Sequence, residues 1–234
     1  MSISRTVRLA GDATVAEWYR RQTTPEYSLA FDAALPASLA GPLLAVLSAP
    51  QLTVELLKRV TGPIYLAVCE WMKPSTSIAQ FAPWAQSDVI AVRWQEAAGS
   101  YTQLLWAEPE AQAANELAAA LRQAALPGAT LYVIASGPLR RWLPAWQRPP
   151  FPAQQPLNAG GVVAVLNVTG WEVESRIAFH GPRSIAWSWM YRLAEAFGRP
   201  DLGDRCLFAM RATYQEPGWL WPLAPLALIR ARAS

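Results

Sequence analysis

His180 is the only histidine of the 234-residue chain, and it stands in the stretch FHGPRS (Phe179 to Ser184) at the end of a strand-like run. Folds of α/β type place functional loops at such strand ends. An imidazole with an ordinary pKa of about 6.5 can act there as a base; the other reading is a loop imidazole bonded to backbone ahead of the Gly-Pro turn. Arg183 follows at the start of a helix, where a cation is disfavoured by the helix dipole, so it either binds an anion or carboxylate or points to solvent. A lone histidine cannot build a histidine-based metal cluster. Cys69 and Cys206 are far apart and show no C-x-x-C spacing, so no metal is expected and both read as free thiols of a reducing compartment.

A second group lies in RRWLPAW, where Arg140, Arg141, Trp142 and Trp146 share a proline-rich loop. Arginine and tryptophan dominate binding hot spots, and proline lowers the ordering cost, so the loop can clamp a partner protein, a flat ligand or a membrane surface. Alternatively the indoles cap the core. PGWLWPL (Pro217 to Leu223) repeats the chemistry. Glu108 and Glu110 can form a carboxylate pair at a strand end, although charges at a helix start explain them adequately. No G-x-S-x-G elbow, Walker loop or H-E-x-x-H motif is present.

The elements that must hold these residues can be read in order. The chain is 53% hydrophobic and 16% charged, which describes a globular protein able to fill one sizeable core, so residues 1–234 are expected to form one domain. A net charge of +3 with scattered arginines gives no basic stripe, and nucleic acid is not an expected partner. The first residues are charged throughout and lack the apolar core of a signal peptide, which points to the cytoplasm. Ala33 to Val54 is free of charge, but Pro36, Pro42 and Pro50 would break a spanning helix, and short buried helices are expected there. With a capping box at Thr14 to Glu17 and an amphipathic run from Leu52 to Val60, residues 1–62 read as a helical N-terminal segment.

From residue 63 to 234 an α/β core is expected. Apolar runs at Pro63 to Trp71, Asp88 to Trp94, Tyr101 to Glu108 and Thr130 to Ala135 suit central strands covered on both faces. A helix from Pro109 to about Ala125 precedes the last of them. Pro138 to Pro156 holds six prolines and reads as a loop or lid. Leu157 to Thr169 predicts a helix, and Trp171 to Phe179 a strand with Trp171, Val173, Ile177 and Phe179 on one face. Ser184 then caps a helix through Phe197, apolar over so much of its circumference that it is either central to the core or docked on a partner. Pro225 to Ala233 is the last strand.

Two stretches carry a family resemblance. AALRQAALPGATLYVIA looks like the helix, "L-x-P-G-G-x-L" turn and fifth strand of the class I S-adenosylmethionine-dependent methyltransferases, with Ala129 in place of the second glycine. VVAVLNVTGWEVESRIAF is similar to their helix and sixth strand, with Trp171 where phenylalanine is usual. The resemblance covers about Tyr101 to Ala233 and implies a mostly parallel, doubly wound, Rossmann-like sheet.

It also implies a glycine-rich loop after the first strand and an acid ending the second, because backbone must approach the nucleotide where a Cβ would collide. No two glycines stand two apart anywhere in the chain, and between Gly62 and Gly128 there is only Gly99. With Pro63 to Trp71 taken as the first strand, Glu70 is a displaced candidate for the cofactor's acid. The expectation is therefore a methyltransferase-like scaffold with a degenerate cofactor site, acting as an accessory or interaction protein with a protein partner and no cofactor. Its rivals are an active methyltransferase using S-adenosylmethionine for a small or hydrophobic substrate, and peripheral membrane attachment, to which twelve tryptophans are suited.

Overall fold

A computed structural model of the chain describes residues 5–7, 39, 42–47, 63–68, 89–93, 101–142, 155–213, 215–216 and 221–234. Their strands are β1 (Arg5–Val7), β2 (Leu43–Leu47), β3 (Ile64–Val68), β4 (Val89–Arg93), β5 (Tyr101–Ala107), β6 (Ala125–Ser136), β7 (Trp171–Phe179), β8 (Gln215–Glu216) and β9 (Leu226–Ala233). The helices are α1 (Ala114–Ala124), α2 (Ala159–Val168), α3 (Pro182–Ala196) and α4 (Pro200–Ala212). All nine strands share one sheet, in the order β1-β4-β3-β2-β5-β6-β9-β7-β8. The centre, β4 to β6, is parallel throughout, whereas β9 runs against both β6 and β7. The expected α/β class and mostly parallel sheet are thus observed.

One face of the sheet is sealed by α1 and α2. Leu104, Trp106, Leu131, Val133 and Ile229 of the strands form a single core with Leu117 and Leu121 of α1 and Val162 and Leu166 of α2. The Trp171 indole donates to the Ala118 carbonyl at 3.2 Å, fixing α1 to the start of β7. Arg122, expected to complement the α1 dipole, also donates to the Gly170 carbonyl at 3.2 Å.

Three sequence expectations need correction. The segment up to residue 62 is not simply helical, because it contributes β1 and β2; the short helices expected between Ala33 and Val54 give way to β2 at Leu43–Leu47. Leu43 to Val46 are all buried, as a central strand covered on both faces requires, and Pro42 stands immediately ahead of that strand. The helices expected at Val15 to Arg21 and Leu52 to Val60 lie outside the described residues.

Second, the helix expected from Pro109 opens as a short 3-10 turn at 111–113 and is α-helical only over Ala114–Ala124; β6 starts at once at Ala125. The Pro127-Gly128 turn lies inside β6 as a bulge, where Gly128 takes φ +78 and the register against β5 shifts between Tyr101 and Gln103. Third, Trp171 to Phe179 does not keep one face. A bulge between Val173 and Ser175 inserts an extra residue, so Trp171 pairs with Ala233 and joins the main core while Phe179 pairs with Leu226 on the opposite face.

Candidate functional site

The chain steps from β2 outward to β3 and β4, then returns past β2 to β5. The crevice at the carboxyl ends of β2 and β5 is therefore the topological switch point, where α/β sheets bind ligands. Glu108, the first residue beyond β5, stands at that edge. Its backbone is left-handed, with φ 57, which is uncommon for a residue with a Cβ and marks a position held by its surroundings.

Those surroundings are polar and buried. The Ser136 hydroxyl, at the end of β6, donates to the Glu108 carboxylate at 2.8 Å, and Arg140 Nη1 donates to Oε2 at 2.7 Å. The Glu108 side chain is 0% exposed and that of Arg140 13%. Sequence reasoning treated Glu108 as a helix-start charge, but the helix begins further on and the carboxylate belongs to an ion pair. Arg140, expected to face a partner, turns inward to complete it.

Arg140 is delivered by a 3-10 turn, 138–142, clamped to the approach to β9: Gly137 N donates to Pro225 O and Leu139 N to Leu223 O, each at 3.1 Å. A Cβ on Gly137 would lie 1.9 Å from the Ala224 carbonyl oxygen, a backbone atom that cannot swing aside. Gly137→Ala is expected to destabilise the fold by about 1–3 kcal/mol through overpacking, read as a lowered urea midpoint with the slope unchanged. A midpoint equal to that of the parent protein would mean the clamp is slack.

His180 follows β7 on the same edge of the sheet, two strands away from Ser136 through β9. It is 0% exposed, carries φ 60, and its Nδ1 lies 2.9 Å from the hydroxyl of Ser184. Burial pushes its pKa down to about 3, so the imidazole is neutral across the physiological range. Helix α3 is capped by Gly181 with Pro182 in its first turn, not by Ser184; Ser184 instead sits inside the helix, bonded to His180. Glu70 lies outside the described residues.

Helix α3 buries its small side chains and exposes its large ones. Ser184, Ser188 and Ala194 are buried, and the Ser188 hydroxyl meets Met210 of α4 at 3.2 Å. Trp189, Met190, Leu193 and Phe197 are 49%, 42%, 50% and 78% exposed. With Ala186 they recur at intervals of three and four residues, which puts them on one outward stripe. The Trp189 indole donates to the backbone carbonyl of Trp142 at 2.9 Å, so the arginine-tryptophan loop abuts this stripe. Trp142 is 57% exposed, with Arg141 over its ring at 5.8 Å. Arg183 is exposed at the start of α3, and Trp146 lies outside the described residues.

Cofactor parts must be reassigned on this frame. The first parallel strand is β2, not Ile64–Val68, and the crossover after it, residues 48–63, has a single glycine, Gly62, at its far end just ahead of β3. Directly after β2 the sequence therefore lacks the glycine-rich loop that the resemblance implies. Glu70 comes in sequence two residues after the end of β3, the second strand. Among the described residues no cluster of three or more metal-ligating side chains occurs.

No protein-family model matches the chain, and no curated protein matches it. Solved structures do. The [4+2]-cyclase SpnF is 16% identical, with a TM-score of 0.49 over 89% of this chain and 80% of that one. A TehB-like S-adenosylmethionine-dependent methyltransferase from Corynebacterium glutamicum is 11% identical, with a TM-score of 0.49 over 95% of this chain and 98% of its own. The N-methyltransferase NodS from Bradyrhizobium japonicum is 12% identical, at 0.47 over 95% and 98%.

Proposed function

We propose that this chain, whose fold is that of the class I S-adenosylmethionine-dependent methyltransferases, works by binding rather than by methyl transfer, as an accessory or interaction protein. The observation that carries this reading is the outward apolar stripe of α3 joined to Trp142. A helix that turns Trp189, Met190, Leu193 and Phe197 to solvent while burying serines is built to be covered. Two further features support it. The crossover after β2 holds no glycine until Gly62, just ahead of β3, and the carboxylate at the switch point is already neutralised by Arg140.

Calorimetry with S-adenosylmethionine and S-adenosylhomocysteine tests this directly. No heat is expected at micromolar concentrations of the protein, and clear micromolar binding would overturn it. One observation favours the alternative, an active methyltransferase with an atypical cofactor pocket: Glu70 follows the second parallel strand, where an acid can hold ribose hydroxyls. In that case Glu70→Ala abolishes the heat.

A further inference from the structure

We propose that the occupant of the α3 stripe is an anionic phospholipid surface, on which the protein lies through Trp142, Trp189, Met190, Leu193 and Phe197. The inference rests on the reading of this face as the binding surface and adds what it binds.

Charge distribution around the stripe decides the occupant. Successive residues of an α-helix step by about 100°, which places Arg183 on one flank of the stripe and Arg192 on the other. Glu195 falls on the side of the helix away from the stripe, where it is half exposed and accepts from Arg192 Nη1 at 3.4 Å and from the Tyr191 hydroxyl. Arg141 lies over Trp142 at the remaining border. Among the described residues the apolar surface is thus edged by Arg183, Arg192 and Arg141, and the acid of the helix, bonded to Arg192, is turned away from it. An apolar face with an arginine rim matches a bilayer whose headgroups are anionic, and tryptophan is favoured at that depth.

Shape points the same way. The stripe is the convex side of a helix, not a groove that would receive a peptide. A second copy of the chain fits poorly, because pairing the stripe with itself about a two-fold axis would set one arginine-flanked border against another. No helix among the described residues is long and apolar enough to cross a membrane, so contact through the stripe is in the plane of the interface.

Co-sedimentation of the full chain with phosphatidylcholine vesicles, with and without phosphatidylserine, tests the proposal. Binding is expected only with phosphatidylserine and falls as salt rises. Leu193→Glu, at a site already half exposed, should weaken it by at least about tenfold. Phe208→Glu, on the outward side of α4, should leave it unchanged, which separates a defined face from general stickiness. Absence of vesicle binding, or equal binding to neutral vesicles that survives Leu193→Glu, overturns the lipid assignment. A concentration-dependent dimer that Leu193→Glu dissolves, without vesicle binding, also overturns it but leaves the stripe as a binding face. Cofactor binding by calorimetry would instead overturn the non-catalytic reading and leave the vesicle result standing.

Discussion

Arg140→Ala should destabilise the protein by about 3–5 kcal/mol, because it removes the counter-charge of a carboxylate that is fully buried. The desolvation of Glu108 has already been incurred in the folded state. Attraction to Arg140 at 2.7 Å and the hydroxyl of Ser136 offset it there. Deleting the guanidinium leaves the cost without the compensation, whereas deleting both charges removes both. The double variant Glu108→Gln, Arg140→Met should therefore recover most of the loss, which urea unfolding at neutral pH would read as a strong favourable coupling. A change below about 1 kcal/mol for Arg140→Ala would place the pair in the class of solvated surface bridges.

The same variant reaches beyond stability. Arg140 is held in the middle of the 3-10 turn that presents Arg141 and Trp142, and the Trp142 carbonyl in turn receives the Trp189 indole. Loosening the ion pair frees that turn from the sheet edge, so vesicle binding should fall along with the unfolding midpoint. Arg140 thereby acts as the positioning residue of the loop, while its neighbours meet the surface.

How much of this was legible depended on whether the signal was local. Strands β3, β4, β5, β7 and β9 follow from apolar runs whose length and bounding turns leave little choice. Strand β2 escaped because its five residues sit among alanines and prolines that imitate broken helices; only burial on both faces identifies it. That single miss displaced the frame of the first half and made Glu70 look out of place. Glu108 was hidden for a different reason. Glu-Pro-Glu ahead of alanines reads as a helix start, and nothing local says that a serine 28 residues on and an arginine beyond it will close on the carboxylate.

The two features of the binding face show the same limit. Periodicity exposed the unusual apolar girth of α3, but not which side would be covered, since that depends on the small residues packing against α4. The bond from Trp189 to Trp142 spans 47 residues and uses a backbone carbonyl, for which no side-chain pattern exists. In β7 the alternation was correct as a pattern and wrong as a face, because a bulge leaves no mark in a run of apolar and charged residues.

Lowering the pH through the range of an ordinary imidazole should loosen the fold through His180. Burial holds its folded pKa near 3, against about 6.5 when unfolded, so the unfolded chain binds one more proton throughout that window. Stability is unaffected by this group above the unfolded pKa and declines as pH falls, by about 1.4 kcal/mol per unit until the folded pKa is reached. Between pH 6.5 and 5, mostly above the carboxylates, the loss amounts to about 2 kcal/mol. His180→Asn keeps a residue that tolerates the left-handed backbone and cannot take up the proton, so its stability should be flat over the same range. Urea midpoints of the two proteins at both pH values decide it; parallel slopes would assign the acid sensitivity elsewhere. Because the imidazole stays neutral in the folded protein at pH 5, vesicle binding there should match between the parent protein and His180→Asn, and a loss confined to the parent would mean that the folded histidine takes up the proton.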